Sequence, residues 1–269
     1  MTPQASDLHK GFHDPRQVAA GDLERFLAES DRLPGMRTVR AALRRALPLR
    51  PGMRLLDAGC GIGLEAARLA EEHPEVHVTG LDRNPELLDI ARRRTEHGPD
   101  NVEWVEADLT DPGLPARSFD AIRTERVLMY LPGDRLDAAL DHLVNALRPG
   151  GRIATFELDY GATILAPGSA PMRVIDRVVA TLQESLPQPF AGRLLQGMLR
   201  ARGLRDVDAE PLSFRVSAPV WRRIVGDTVR AADPDDPGVH EWLREQDEAA
   251  ERGELVAAFT GVLTSATAP

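Results

Sequence analysis

Three glycines and an aspartate stand between a short apolar run and a helical apolar pattern, in the segment Asp57-Ala58-Gly59-Cys60-Gly61-Ile62-Gly63. Residues 53–57 have the pattern of a buried strand and residues 63–73 that of an amphipathic helix. Glycine allows positive φ and lets the backbone approach a ligand, because no Cβ intervenes. The free N–H groups and the positive dipole end of the helix face the same turn. The segment therefore predicts a site for a ligand that carries an anionic group.

The spacing of the glycines excludes two common nucleotide-binding loops. A P-loop ends in Gly-Lys-Ser/Thr, which is absent, and a dinucleotide fingerprint needs a glycine where Leu64 stands. A second acid, Asp82, ends the next apolar run, where a carboxylate can accept hydrogen bonds from a ribose diol. In residues 56–63 and at Asp82, the chain resembles the class I S-adenosylmethionine-dependent methyltransferases.

The resemblance implies that S-adenosylmethionine is the cofactor, and it assigns roles to polar groups at four successive strand ends. Asp57 would hold the amine of the ligand, Asp82 the ribose and Asp108 the adenine amino group. The other residues expected at the cofactor are Gly59, Cys60, Gly61, Gly63, Arg83, Leu109, Glu125 and Arg126. Structural alternatives stay open: an Asx turn for Asp57, a helix N-cap for Asp82, a loop acid for Asp108 and a local ion pair for Glu125 and Arg126.

Three residues are candidates for chemistry on the methyl acceptor. Tyr130 stands where relatives often carry His or Gln beside the transferring methyl group. Asp159 follows the fifth strand, in a segment that resembles the Glu-x-Asp-aromatic pattern of the ubiquinone/menaquinone C-methyltransferase relatives, and is a candidate general base. His13 would face the substrate from an N-terminal lid. The alternatives are a core aromatic, a loop acid and a frayed terminus, respectively.

Strand and helix patterns alternate from residue 53 to residue 157, which predicts a parallel sheet with helices on both faces. We expect strands at 53–57, 76–81, 102–106, 118–123 and 151–157, and looser strands at 207–214 and 260–266. In such sheets the ligand lies beyond the carboxyl ends of the strands. The resemblance implies a three-layer αβα Rossmann-like fold, with a seven-stranded, mostly parallel sheet and a helical cap.

The flanks of this core predict the parts that select the substrate. Residues 1–15 are polar and are expected to be irregular, and amphipathic helices at 18–29 and 36–47 would cap the core. We expect an N-terminal helical cap over 1–50, a cofactor-binding core over 51–165 and a completion of the core over 166–269. Within the last part, residues of about 218–258 would form a helical lid, with Trp221 and Trp242 as its own small core.

Composition restricts the class of protein. The chain has 269 residues and a net charge of −9, which argues against a nucleic-acid partner because phosphate-binding surfaces need clustered Lys and Arg. Its single cysteine, Cys60, and the lack of a long apolar run predict a cytoplasmic protein without a membrane span. The histidines lack ligand spacing, so we expect no metal. A homodimer stays open.

These features predict methyl transfer from S-adenosylmethionine to O, N or C of a small, hydrophobic or polycyclic metabolite, as in secondary metabolism and antibiotic biosynthesis. Two alternatives remain. The fold could bind the cofactor for a non-methylating reaction such as cyclisation, or it could be a non-catalytic binding protein. The resemblance covers most of residues 50–165 specifically and strands six and seven loosely. It says little about residues 1–45 and 166–258, which would select the substrate.

Overall fold

The computed structural model describes residues 8–232 and 235–269. Within this part, seven strands form one sheet in the order β3-β2-β1-β4-β5-β7-β6, and β7 alone runs antiparallel to its neighbours. The strands are β1 (Arg54–Ala58), β2 (His77–Asp82), β3 (Val102–Glu106), β4 (Phe119–Glu125), β5 (Leu147–Leu165), β6 (Arg205–Arg215) and β7 (Ala257–Thr267). The expected α/β fold with a seven-stranded, mostly parallel sheet is confirmed.

Helices cover the sheet and its ligand-binding edge. They are α1 (Leu8–His13), α2 (Ala20–Asp31), α3 (Pro34–Ala46), α4 (Leu64–Glu72), α5 (Pro85–Thr95), α6 (Gly133–Ala146), α7 (Met172–Glu184), α8 (Ala191–Ala201), α9 (Ala218–Trp221), α10 (Asp227–Ala232) and α11 (Pro237–Glu251). Short 3₁₀ turns lie at Pro15–Gln17 and Leu128–Tyr130, and a π-helical turn, Arg222–Gly226, joins α9 to α10.

Two apolar clusters lie on opposite faces of the sheet. Leu55 and Leu56 are consecutive in β1 and belong to different clusters, as do Ala121 and Ile122 in β4. Side chains alternate between the faces of a strand, so these strands are buried on both sides. One cluster includes residues of the cap helices α2 and α3, and the other includes α6 and α8. The cap is therefore continuous with the core on one face.

Three expectations about the elements need correction. The segment expected to be irregular contains α1, while residues 1–7 lie outside the described part. Strand β5 continues to Leu165 because β7 pairs with it as far as that residue. Trp221 and Trp242 contact each other at 6.1 Å between ring centroids, but both belong to the main cluster instead of a separate lid core. No helix of the described part is long and apolar enough to cross a membrane.

Candidate functional site

A cavity with an empty volume of about 1020 Å³ opens at the carboxyl ends of β1, β2 and β4. The turn after β1, the loop after β3 and the cap helices α1 and α2 complete its walls. Charged residues from the strand ends line one part of it, namely Asp82, Arg83, Asp108, Glu125 and Arg126. Apolar side chains line another part, among them Phe12, Phe26, Leu27, Met129, Leu158 and Ile224. The cavity thus combines a polar wall with an apolar one.

The glycine turn gives the cavity a wall of bare backbone. Gly59 and Gly61 have φ of +78° and +55° and line the cavity. A Cβ on Gly59 would lie 2.4 Å from Val127 Cγ2, so no other residue fits without displacing the chain after β4. Gly63, with a φ of +71°, does not line the cavity: it precedes α4, and a Cβ there would meet Trp104 at 2.4 Å.

Asp82 stabilises this turn by accepting a hydrogen bond from its backbone. Its Oδ2 accepts a 2.8 Å hydrogen bond from the amide of Gly61, and its Oδ1 accepts one of 2.9 Å from the amide of Asn84. Burial raises the pKa of Asp82, although the two amides oppose that rise. The N-cap of α5 is Asn84, whose side chain accepts from the amide of Glu86 at 3.0 Å, so Asp82 is not needed as a cap. The carboxylate instead lines the cavity.

Asp108 and Leu109 lie beside one another on the next part of the wall. Asp108 accepts hydrogen bonds from the amide and the hydroxyl of Thr110, at 2.9 and 2.8 Å, and from Arg135 Nη2 at 2.5 Å. Burial alone would raise the pKa of Asp108, but these donors outweigh it and lower the pKa. Arg135 comes from α6, and no local sequence signal pointed to it.

A buried ion network lies behind the glycine turn. Arg123 donates to Asp57 at 2.8 Å and to Glu125 at 2.7 Å, and Arg40 binds both oxygens of Glu125 at 3.0 Å. Burial raises the pKa of Asp57 to about 6, against the opposing charge of Arg123. Burial would also raise the pKa of Glu125, but Arg40, Arg123 and Arg126 hold it well below its usual range. Sequence reasoning missed Arg40 and Arg123.

A smaller cavity with an empty volume of about 460 Å³ connects this network with the turn. Asp57, Cys60, Glu125 and Arg126 line it. The residues shared with the larger cavity are Leu27, Gly59, Gly61, Glu125 and Arg126. Arg126 has a φ of +59° and forms a 3.3 Å ion pair with Glu125, so the local ion pair is present, and both residues also line the larger cavity. Burial raises the pKa of the Cys60 thiol well above its usual value, which keeps it neutral.

The three candidates for chemistry on the methyl acceptor differ in their position relative to the cavity. Tyr130 lines the cavity and its hydroxyl is 3.3 Å from His9 Nδ1. Asp159 does not line it, because both of its oxygens bind Arg193 of α8 and one also accepts from the amide of Gly161 at 2.9 Å. Side chains alternate along β5, and its neighbours Leu158 and Tyr160 line the cavity instead. The side chain of His13 lies outside the described residues.

Comparison with known proteins agrees with this geometry. The methyltransferase-domain family matches residues 55–151, the stretch from β1 to the start of β5. The 27-O-demethylrifamycin SV methyltransferase of Amycolatopsis mediterranei is 30% identical over 81% of this chain and 73% of that protein. A demethylmenaquinone methyltransferase of Clavibacter sepedonicus is 38% identical over 66% of this chain and 76% of that protein. The chain belongs to the class I S-adenosylmethionine-dependent methyltransferases.

A solved methyltransferase supports the fold assignment. Phosphoethanolamine N-methyltransferase 2 of Haemonchus contortus, in complex with S-adenosyl-L-methionine, superposes with a TM-score of 0.64 over 97% of this chain. The sequences are 17% identical, and this chain covers 60% of the larger protein. At this level of sequence identity the similarity shows a shared fold, which includes the seven-stranded sheet, and nothing further.

The residues present fit the cofactor of this methyltransferase family. Asp82 offers a fixed carboxylate for a ribose diol. The smaller cavity offers carboxylates and a guanidinium side by side, which are complementary to the ammonium and the carboxylate of an amino-acid group. Gly59 and Gly61 present backbone without a side chain at the wall of the cavity.

Proposed function

We propose that this methyltransferase alkylates a small apolar secondary metabolite in the larger cavity. The observation that carries the proposal is the Asp82 carboxylate, held by the Gly61 amide at 2.8 Å and lining a cavity that the cap helices close. Asp82 would bind the ribose, and Asp108 with Leu109 the adenine. Asp57, Cys60, Glu125 and Arg126 would surround the amino-acid end, with Gly59, Gly61 and Arg83 completing the walls of the site.

The apolar wall supports the acceptor class. Phe26 and Leu27 come from α2, Phe12 from α1 and Ile224 from the helical insertion between β6 and β7. Burying an apolar acceptor against these side chains contributes about 25 cal/mol for each Å² of apolar surface removed from water. The rifamycin-related name of one relative also favours a secondary metabolite. The segments before β1 and between β6 and β7 would then select the substrate.

The chain itself supplies positioning and exclusion of water. Bound S-adenosylmethionine supplies an electrophilic methyl group on a sulfonium. The strand ends fix the polar groups around it, while α1 and α2 cover the cavity with Phe12, Phe26 and Leu27. Holding two reactants in line is worth up to roughly 7–11 kcal/mol of the barrier. Much of the catalysis therefore needs no dedicated reactive side chain.

Calorimetric titration with S-adenosylmethionine and with S-adenosylhomocysteine tests the cofactor assignment. We expect micromolar binding of both, and S-adenosylhomocysteine should accumulate when a panel of polycyclic metabolites is added. Binding without S-adenosylhomocysteine formation on any acceptor would favour a non-methylating reaction or a binding protein. Failure to bind either compound would contradict the assignment of the cavity.

A further inference from the structure

Two polar rings meet inside the apolar part of the cavity. His9 Nδ1 lies 3.3 Å from the hydroxyl of Tyr130, and both residues line the cavity. His9 is 4% exposed, and its ring also contacts that of Tyr160 at 6.1 Å in an edge-on arrangement. Tyr160 is 1% exposed and lines the same wall. The pair is thus shielded from bulk water and open to a ligand in the cavity.

The position of His9 is fixed by its helix. Arg83 Nη2 donates to the carbonyl oxygen of Phe12 at 2.5 Å, which ties α1 to the end of β2. The Phe12 ring packs against Tyr130 at 5.2 Å and against Phe26 at 5.9 Å. Arg83, which lines the cavity, therefore also holds α1, the helix that carries His9.

We propose that Tyr130 and His9 form a proton relay that deprotonates a phenolic or enolic hydroxyl of the acceptor, which makes this chain an O-methyltransferase. The proposal rests on the proposed function of the cavity. The acceptor hydroxyl gives its proton to the Tyr130 oxygen, while Tyr130 gives its own proton to Nδ1 of neutral His9. The acceptor oxygen uses its electron pair to form the O–CH₃ bond, and the pair of the breaking S–CH₃ bond stays on sulfur. His9 becomes a cation and later returns its proton to water.

The chemistry of the pair favours oxygen over nitrogen as the acceptor atom. A neutral amine attacks with its own lone pair and needs no base before transfer. A phenol with a pKa of about 10 is a weak nucleophile at neutral pH and gains from a positioned base. Phe12 and Phe26 add ring faces that suit an aromatic skeleton.

The charge state of His9 depends on the groups around it. Tyr130 from the turn after β4 and Tyr160 from β5 face its ring directly. The residue of the insertion that lines the cavity is the apolar Ile224. The charged groups that line the same cavity are Asp82, Arg83, Asp108, Glu125 and Arg126. Their carboxylates are hydrogen-bonded to amides or arginines.

The test uses a phenol whose ionisation is visible. Wild type, His9→Gln and Tyr130→Phe are saturated with S-adenosylhomocysteine and mixed with 4-nitro-1-naphthol, and the absorbance of the naphtholate is followed against pH. His142→Gln is the matched control, because His142 lies on α6 outside the cavity. We expect the bound probe to ionise at lower pH on wild type and on the control than on the two cavity variants. On both cavity variants the acid dissociation constant of the bound probe should be about tenfold smaller than on wild type.

Turnover provides the second readout. On naphthols, His9→Gln should lose about 100-fold in kcat with an unchanged KM for S-adenosylmethionine. The rate of wild type should fall towards low pH, and this fall should disappear in the variant. Equal ionisation of the probe on wild type and His9→Gln, or no binding of the probe to wild type, would overturn the proposal. Failure of wild type to bind S-adenosylhomocysteine would instead overturn the proposed function, so the two failures are distinguishable.

Discussion

The amide of Gly61 donates a 2.8 Å hydrogen bond to Oδ2 of Asp82, which ties the turn after β1 to the end of β2. The other oxygen, Oδ1, accepts from the amide of Asn84. One carboxylate therefore shapes the glycine turn and at the same time lines the cavity beside it. Loss of this side chain would disturb the wall of the cavity and remove the carboxylate that we assign to the ribose.

Substitution of Asp82 separates these two effects. In Asp82→Ala the amides of Gly61 and Asn84 lose their acceptor, and we expect binding of S-adenosylmethionine to weaken by about 1–3 kcal/mol. Asp82→Asn keeps one oxygen acceptor and should lose less. Calorimetry measures the affinity, and circular dichroism checks the fold. An unchanged affinity in folded Asp82→Ala would rule out the ribose assignment.

Gly59→Ala tests the close approach at the turn. Gly59 and Gly52 have similar φ values, +78° and +81°, but a Cβ would meet Val127 at 2.4 Å in the first case and open space in the second. Both variants incur the cost of a left-handed alanine, about 1–2 kcal/mol. Only Gly59→Ala should also lose cofactor binding, because Val127 or the turn must move. Equal cofactor affinity in the two variants would contradict this account.

The sequence predicted the parts of the site whose residues are close along the chain. The turn from Asp57 to Gly63 and the acid after β2 follow from local patterns, because strand, turn and helix signals stand next to each other. The ion network could not be predicted in the same way. Arg40 and Glu125 are 85 residues apart, and only the fold brings the cap helix to the end of β4. A lone arginine inside an apolar strand, Arg123, was the available signal.

The misplacement of Asp159 has a tertiary cause. The fifth strand was expected to end at residue 157, so Asp159 was expected at the substrate edge. Pairing with β7 instead carries β5 to Leu165, with a register shift between Asp159 and Ile164. Local propensity cannot reveal such pairing, because β7 lies about a hundred residues further along the chain. Similarly, no helix was expected before residue 15, so the lid histidine was expected to be His13, whereas His9 of α1 lines the cavity.

Asp159→Asn tests whether the Asp159 carboxylate is a general base or only a structural partner of Arg193 and Gly161. The carboxylate binds Arg193 and the amide of Gly161 outside the cavity, so we expect turnover and cofactor affinity close to those of wild type. Steady-state kinetics with any accepted substrate measures this. A loss of 100-fold or more in kcat, with the affinity for S-adenosylmethionine unchanged, would restore Asp159 as a general base.

Arg40→Met tests the link between the cap and the core. Arg40 binds Glu125 and Asp31 with its side chain 11% exposed, so its removal leaves buried carboxylates with fewer partners. Breaking a buried pair in this way costs about 3–5 kcal/mol, which urea unfolding would detect. The control is Arg244→Met on α11, whose ion pairs are exposed and screened by water and should change the midpoint little. Equal midpoints for both variants would show that the network contributes no stability.

Glu157 makes stability depend on pH near neutrality. Burial raises its pKa to about 7, even though the amides of Leu128, Val127 and Met129 and the hydroxyl of Thr124 oppose that rise. The unfolded chain would titrate near the ordinary value of 4.5. Between these two values the folded state binds more protons than the unfolded state, so stability falls as pH rises from about 4.5 to 7.

Glu157→Gln removes this titration. A rise from 4.5 to about 7 corresponds to about 3 kcal/mol, so wild type should lose that much stability relative to the variant across this pH range. Glutamine replaces one acceptor oxygen with a donor and should itself cost stability, but that cost does not vary with pH. Urea unfolding of both proteins at pH 4.5, 6 and 7.5 measures the difference. A difference that stays constant with pH would mean that Glu157 titrates normally, and that water reaches the base of the turn that carries Tyr130.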